Sequence, residues 1–205
     1  MTSFSPNIKL SNMPLSVKLL FTAALLSLGT GYIFALSNVA LKVGFSPEDA
    51  TLKYYGNEAS RAALEEMTND TVSADDAGVS ESEELSFDDM EADQAESEPL
   101  VPVPTFEALV TEGHFHLFGY VSIFFICGLI IVFADIPRWL KGTLVLAPFL
   151  ASVLDIWSML LTRFISPNFA YLLIISGMIM ALSFLLVFVI SIYQLWFIPE
   201  ATSKQ

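Results

Sequence analysis

"YLLIISGMIMALSFLLVFVISIYQLWF" runs from residue 171 to 197 without one charged side chain. A helix needs about 20 apolar residues to cross the ~30 Å hydrocarbon core of a bilayer, and this stretch exceeds that. It reads as a transmembrane helix, and three runs of the same character precede it. They are "VKLLFTAALLSLGTGYIFAL" at 17–36, "HLFGYVSIFFICGLIIVFA" at 116–134 and "GTLVLAPFLASVLDIWSMLL" at 142–161. The expected fold class is an all-α membrane protein with four transmembrane helices.

Composition points the same way. Of 205 residues, 54% are hydrophobic and 15% charged, too apolar for a water-soluble domain of this length. The charge is also segregated: Glu65 to Glu98 holds 14 of the 22 acids and no Lys or Arg. One part of the chain is built for lipid and another for water. A net charge of −13 without a basic face excludes nucleic acid as a partner. Cys127 is the single cysteine, so an internal disulfide, a CxxC site and a CxxCH haem attachment are all excluded.

These runs divide the chain. Residues 1–38 read as a cytoplasmic N-terminus and helix one, and 39–112 as an extracytoplasmic segment. Residues 113–198 read as helices two to four in a bundle, and 199–205 as a cytoplasmic tail. The connections "DIPRWLKG" (135–142) and "TRFISPNFA" (162–170) are short and carry Pro, so the last three helices should run up and down against one another. The first run exceeds the 7–15 apolar residues of a secretory signal and is read as an uncleaved anchor. Lys9, Lys18, Arg138, Lys141 and Lys204 fall on one side; Lys42, Lys53, Arg61 and Arg163 fall on the other. The basic excess places both termini in the cytoplasm of a bacterial inner membrane. In the outer segment, Ser46 as a cap and Pro47 at the first helical position start short helices over 47–67. Residues 68–104, rich in Asp, Glu, Ser and Pro, read as an acidic, disordered linker, and Thr105 caps a helical lead-in to span two.

Small residues let membrane helices approach. Candidates are Ser27 and Gly31 on span one, Gly177 and Ala181 with Ser176 and Ser183 on span four, and a face of Ala147, Ala151, Asp155, Ser158 and Thr162 on span three. Asp155 is of another kind. It lies eight residues inside Arg163, about 12 Å from that end. A charge so placed costs at least ~2.5 kcal/mol, so it must face the bundle or take a proton. Tyr120, seven residues in from Gly113, lies at similar depth, and an Asp155–Tyr120 hydrogen bond is the first expectation, with His116 as second candidate.

Both histidines fall in "TEGHFHLFGY", residues 111–120. On a continuous helix His114 and His116 point about 200° apart and share no metal. If Gly113 breaks the helix, an extended H-x-H chelate forms, with Glu112 or Asp155 completing a transition-metal site. The run "GHFHLFGYVSIFFICGL" (113–129) resembles a helix of haem–copper oxidase and nitric oxide reductase catalytic subunits, where "AH-x-HL-x-x-G" supplies a haem b ligand. That resemblance implies His116 or His114 as axial ligand and Gly119 as the point of porphyrin approach. The other histidines of such subunits are missing, so this chain is not one of them.

A longer resemblance is carried by "MPLSVKLLFTAALLSLGTGYIFAL", "GFSPEDATLKYYG" and "TFEALVTEGHFHLFGY". They are similar to an uncharacterised family of proteobacterial inner-membrane proteins, some labelled "elongation factor-1 alpha". The chain has no GxxxxGK[ST] loop, so that label's GTPase chemistry has no support in its residues. The family resemblance implies a place among respiratory or cytochrome components. Some members carry a CxxCH motif in the outer loop, where this chain has its acidic tract.

The leading expectation is an accessory, non-catalytic subunit of a respiratory or electron-transfer complex, binding haem b or a transition metal through His114 or His116. One alternative is a small oligomeric proton-coupled transporter using Asp155; another is a membrane scaffold. The lack of HExxH and of a nucleophile–base pair leans away from an enzyme. The expected partners are the lipid bilayer and other membrane or respiratory subunits.

Overall fold

The computed structural model describes residues 9–73 and 100–199, and every regular element in them is helical. Four helices are long and apolar enough to cross a membrane. These are α1 (Leu15–Lys42), α4 (Phe106–Ile131), α5 (Arg138–Phe164) and α6 (Ala170–Trp196). Two shorter helices, α2 (Pro47–Tyr54) and α3 (Glu58–Ser73), lie between α1 and α4.

Local chemistry sets the ends of these elements. Gly44, at φ +86°, turns the chain out of α1 through a left-handed conformation suited to glycine. Ser46 then caps α2 in a reciprocal box. Its Oγ accepts from Asp49 N at 3.1 Å, and Asp49 Oδ2 accepts from Ser46 N at 3.3 Å. Thr105 Oγ1 caps α4 by accepting from Ala108 N at 3.2 Å.

The helical lead-in expected at 105–113 and span two are one helix: α4 starts at Phe106 and passes through Gly113 without a break. A lone glycine costs a helix only about 1 kcal/mol, and the apolar residues around it outweigh that. Residues 68–73, expected to belong to a disordered linker, are the end of α3, which continues to Ser73; the rest of the acidic tract, 74–99, lies outside the described residues. Extending a formed helix is cheaper than starting one, so the polar "TNDTVS" follows the turns before it. Finally, Ser27 and Gly31 face outward. α1 leans on the bundle through buried Leu25 and through Tyr32, whose ring stacks on Phe184 at 4.7 Å. Large side chains that reach across the gap make this contact, where small ones would have drawn the backbones together.

α4, α5 and α6 form the core. The stripe Leu144, Pro148, Ala151, Ser152, Asp155, Ser158, Met159 and Thr162 is the buried face of α5. The opposite faces of the long helices carry Phe, Leu, Ile, Val and Trp, as lipid requires. Near the α4–α5 turn, Gln194 on α6 clasps the backbone of Asp135: Oε1 accepts from Asp135 N at 2.7 Å and Nε2 donates to Asp135 O at 3.2 Å. Lys9 adds an ion pair to the Asp135 carboxylate at 2.7 Å, and Leu10 N donates to Phe133 O at 3.1 Å. Residue 9, the α4–α5 turn and the end of α6 thus share one end of the bundle. α2 sits at the other, the insert end, where Thr51 Oγ1 meets Pro167 O at 3.5 Å.

Replacing Gln194 by Ala removes both bonds to Asp135 and should lower stability by about 1–3 kcal/mol, seen as a lower Tm in detergent. Lys9→Ala, which breaks an exposed ion pair, should cost less than about 1 kcal/mol in the same assay.

Candidate buried carboxyl site

Glu112, His116 and Tyr120 are spaced by four residues, so they form one stripe down α4 from the insert end. At the top, Lys53 Nζ lies 3.3 Å from Glu112 Oε1 and 3.1 Å from Tyr54 Oη, with both charged side chains only about 29% exposed or less. Lysine only donates, so the Tyr54 hydroxyl is left to donate to Glu112, which is within its hydrogen-bond reach. Burial, and then the Glu112 carboxylate, hold the Tyr54 phenol well above its ordinary pKa. It therefore stays protonated and keeps donating at any physiological pH. The ring of Tyr54 packs with Leu109 and Met159, so α2 plugs the bundle mouth with an aromatic side chain whose polar tip is paired.

Two turns below, α5 supplies Asp155, 9% exposed. Tyr120 Oη donates to Asp155 Oδ2 at 3.3 Å from α4. From α6, Ser176 Oγ lies 2.8 Å from Asp155 Oδ1 and also 2.8 Å from the carbonyl of Leu173. One carboxyl thus joins the three core helices. Tyr32 of α1, Tyr54 of α2, and Glu112 and His116 of α4 are all within electrostatic reach of it. Direct hydrogen bonds to the acid come from Tyr120 of α4 and Ser176 of α6.

The sequence placed Asp155 and Tyr120 at one depth, but it gave no sign of Ser176, Tyr54 or Tyr32 as neighbours. Ser176 stood out only as a small residue. What would have pointed to Tyr54 is its position five residues after Asp49 of the capping box, which fixes where α2 begins.

The histidines lie at the rim of this site, and both are exposed. His116 tilts against Tyr120 at 5.6 Å, while His114 turns away to lie against Phe118 at 4.9 Å. Because α4 is continuous, the extended H-x-H geometry does not form. Glu112 is held by Lys53, and among the described residues no three of His, Cys, Asp or Glu come together as a metal would need. Gly119 faces open space on the outer surface of α4. Gly113 is the glycine on which close approach depends: a Cβ there would stand 3.1 Å from Ile156 Cγ2 of α5.

Comparison with known proteins places this architecture. A family described as a transmembrane helical domain matches residues 44–202, more than three quarters of the chain. The chain belongs to that family. The match starts beyond the end of α1 at Lys42 and takes in α2, α4, α5 and α6, hence every polar group around Asp155 except Tyr32. No curated protein and no solved structure matches the chain.

Gly113→Val should force α4 from α5 and cost about 1–3 kcal/mol, whereas Gly119→Val should stay within about 1 kcal/mol of the parent. Thermal unfolding of the two variants in one detergent makes the comparison. Equal losses would show that the contact at Gly113 does not hold the helices.

Proposed function

We propose that this integral membrane protein is a proton-handling protein of the inner membrane, with Asp155 as the group that takes up and releases the proton. Its working form is a small oligomeric, proton-coupled carrier. The observation that supports this is the single hydroxyl hydrogen of Ser176, set between two acceptors at equal 2.8 Å distances. With Asp155 ionised, Ser176 donates to the carboxylate. With Asp155 protonated, the acid donates to Ser176 Oγ, and Ser176 turns its hydrogen to Leu173 O. Both protonation states keep a complete set of hydrogen bonds without moving a helix. A side chain that merely locked helices together has no need of a second arrangement.

The stripe on α4 supports a supply route from the insert end. Glu112, His116 and Tyr120 descend toward Asp155 in one-turn steps of about 6 Å, each capable of carrying or relaying a proton. A single three-helix core leaves little room for a substrate path, so the carrier reading calls for several copies. Both termini, and the end that holds Lys9, Arg138 and Lys141, face the cytoplasm in this reading.

The cofactor reading is weaker. The chain's two histidines both sit on α4 and point apart, so a haem or metal held by one of them needs its second ligand from another subunit. It would also lie outside the bundle.

Infrared difference spectra of the full-length protein between high and low pH test the proposal. A protonated-carboxyl band should appear on acidification, shift in Ser176→Ala and vanish in Asp155→Asn. A set of bands identical in wild type and Asp155→Asn would make Asp155 a structural lock. An absorption spectrum of the same sample addresses the rival, since a Soret band lost in His114→Ala/His116→Ala would move the function to the histidines.

A further inference from the structure

At the insert end, α3 and the last turn of α5 bound a cleft of about 620 Å³ lined by Tyr55, Arg61, Glu65, Arg163, Phe164 and Ile165. Its charges are unusual for a chain at −13. Arg61 and Arg163 are close enough to repel each other, and among the described residues neither guanidinium is ion-paired to a carboxylate. Each is held instead by an aromatic ring. Arg61 lies over Tyr55, 4.5 Å from the ring centroid, and Arg163 lies 5.4 Å from that of Phe164. Arg163 commits Nε to the carbonyl of Pro104 at 3.2 Å, which orients the guanidinium and leaves its two terminal nitrogens to other acceptors. Glu65, one turn from Arg61, lines the cleft without closing on either arginine.

Depth indicates what such a pair meets. From Lys141 to Arg163 is 22 residues of continuous helix, about 33 Å, close to the thickness of a hydrocarbon core. Arg163 therefore stands at the level of the lipid phosphates. Phe164 and Ile165, the next residues outward along the chain, are apolar and open: Phe164 is 52% exposed and Ile165 64%. Two guanidiniums lining one cleft at that level suit the phosphate of a lipid headgroup, because guanidinium forks match phosphate oxygens in pairs.

We propose that the cleft between Arg61 and Arg163 binds the phosphate of an anionic phospholipid headgroup at the insert-side surface of the membrane. The site does not touch Asp155, and the proposal does not rest on the proton-handling reading.

The test is lipid retention by the full-length protein in detergent, measured by native mass spectrometry with phosphatidylglycerol and phosphatidylcholine in equal amounts. Wild type should hold phosphatidylglycerol in preference, by about fivefold for each arginine engaged. Arg61→Gln should lose about fivefold of that preference, and Arg61→Gln/Arg163→Gln should bring it to parity. Arg61 lies on α3, outside the bundle core, so the single variant tests the site even if loss of the Arg163–Pro104 bond disturbs folding. Equal retention by wild type and Arg61→Gln overturns the proposal. Inorganic phosphate separates the two sources of the anion. If millimolar phosphate displaces the lipid, the cleft is a site for free phosphate and the lipid assignment fails; if the lipid stays bound, the lipid assignment stands.

Discussion

In a bilayer core no water is present to satisfy a stray polar atom, so an acid placed there must find its partners within the protein. Asp155 imposes that condition on this fold. Its two oxygens meet one hydroxyl from α4 and one from α6, which sets how those helices must be rotated about α5. Apolar packing cannot supply that specificity, since lipid tails solvate Leu and Phe as well as another helix does. On α5, Ser158 returns its hydrogen to the Asp155 carbonyl at 2.8 Å and Thr162 to that of Ser158 at 2.7 Å, so these two buried hydroxyls are satisfied within their own helix. Asp155 alone on α5 reaches across to both neighbours.

The two ends of the bundle are closed by different means. At one, Gln194 reads the backbone of the α4–α5 turn with both atoms of its amide, and Lys9 adds a charge at the surface. At the other, the Lys53–Tyr54–Glu112 triangle ties α2 to α4 above the acid. α1 lies against this frame with Leu25 as its one buried residue. The family match begins just after α1, so the matched unit and the packed unit have nearly the same boundary.

The fold class was legible because a bilayer asks for something sequence displays directly, runs of apolar residues of a fixed length. Four such runs stand out by composition alone. Depth was legible too: counting residues from each helix end sets Asp155 and Tyr120 at one level. Rotation was not. Which of several small residues faces a neighbour depends on azimuth, and the first span carries hydrophobic residues on every side. Ser27 and Gly31 therefore looked like a contact face, although Leu25, Gly29 and Tyr32 lie toward the bundle. The histidine geometry depended on whether Gly113 breaks a helix. A single glycine weakens a helix too little to answer that, and the side chains that press α4 onto α5 around it decide the matter.

The distribution of charge along α5 joins the two sites physically. Arg138 and Lys141 mark one edge of the apolar slab and Arg163 the other, and between Lys141 and Arg163 the one ionisable acid is Asp155. The helix is thereby pinned at both headgroup levels by side chains that cannot enter the hydrocarbon. Pinning fixes the depth of Asp155 at about 12 Å from the insert edge, and a vertical slip of one turn, about 5 Å, would carry either the acid or an arginine into a costlier place. A titrating group needs such a fixed depth, because the cost of its charge changes steeply with distance from water. Arg163 therefore matters to Asp155 without touching it: the arginine keeps α5 in register with the membrane, and the register sets the environment in which the carboxyl is charged or neutral.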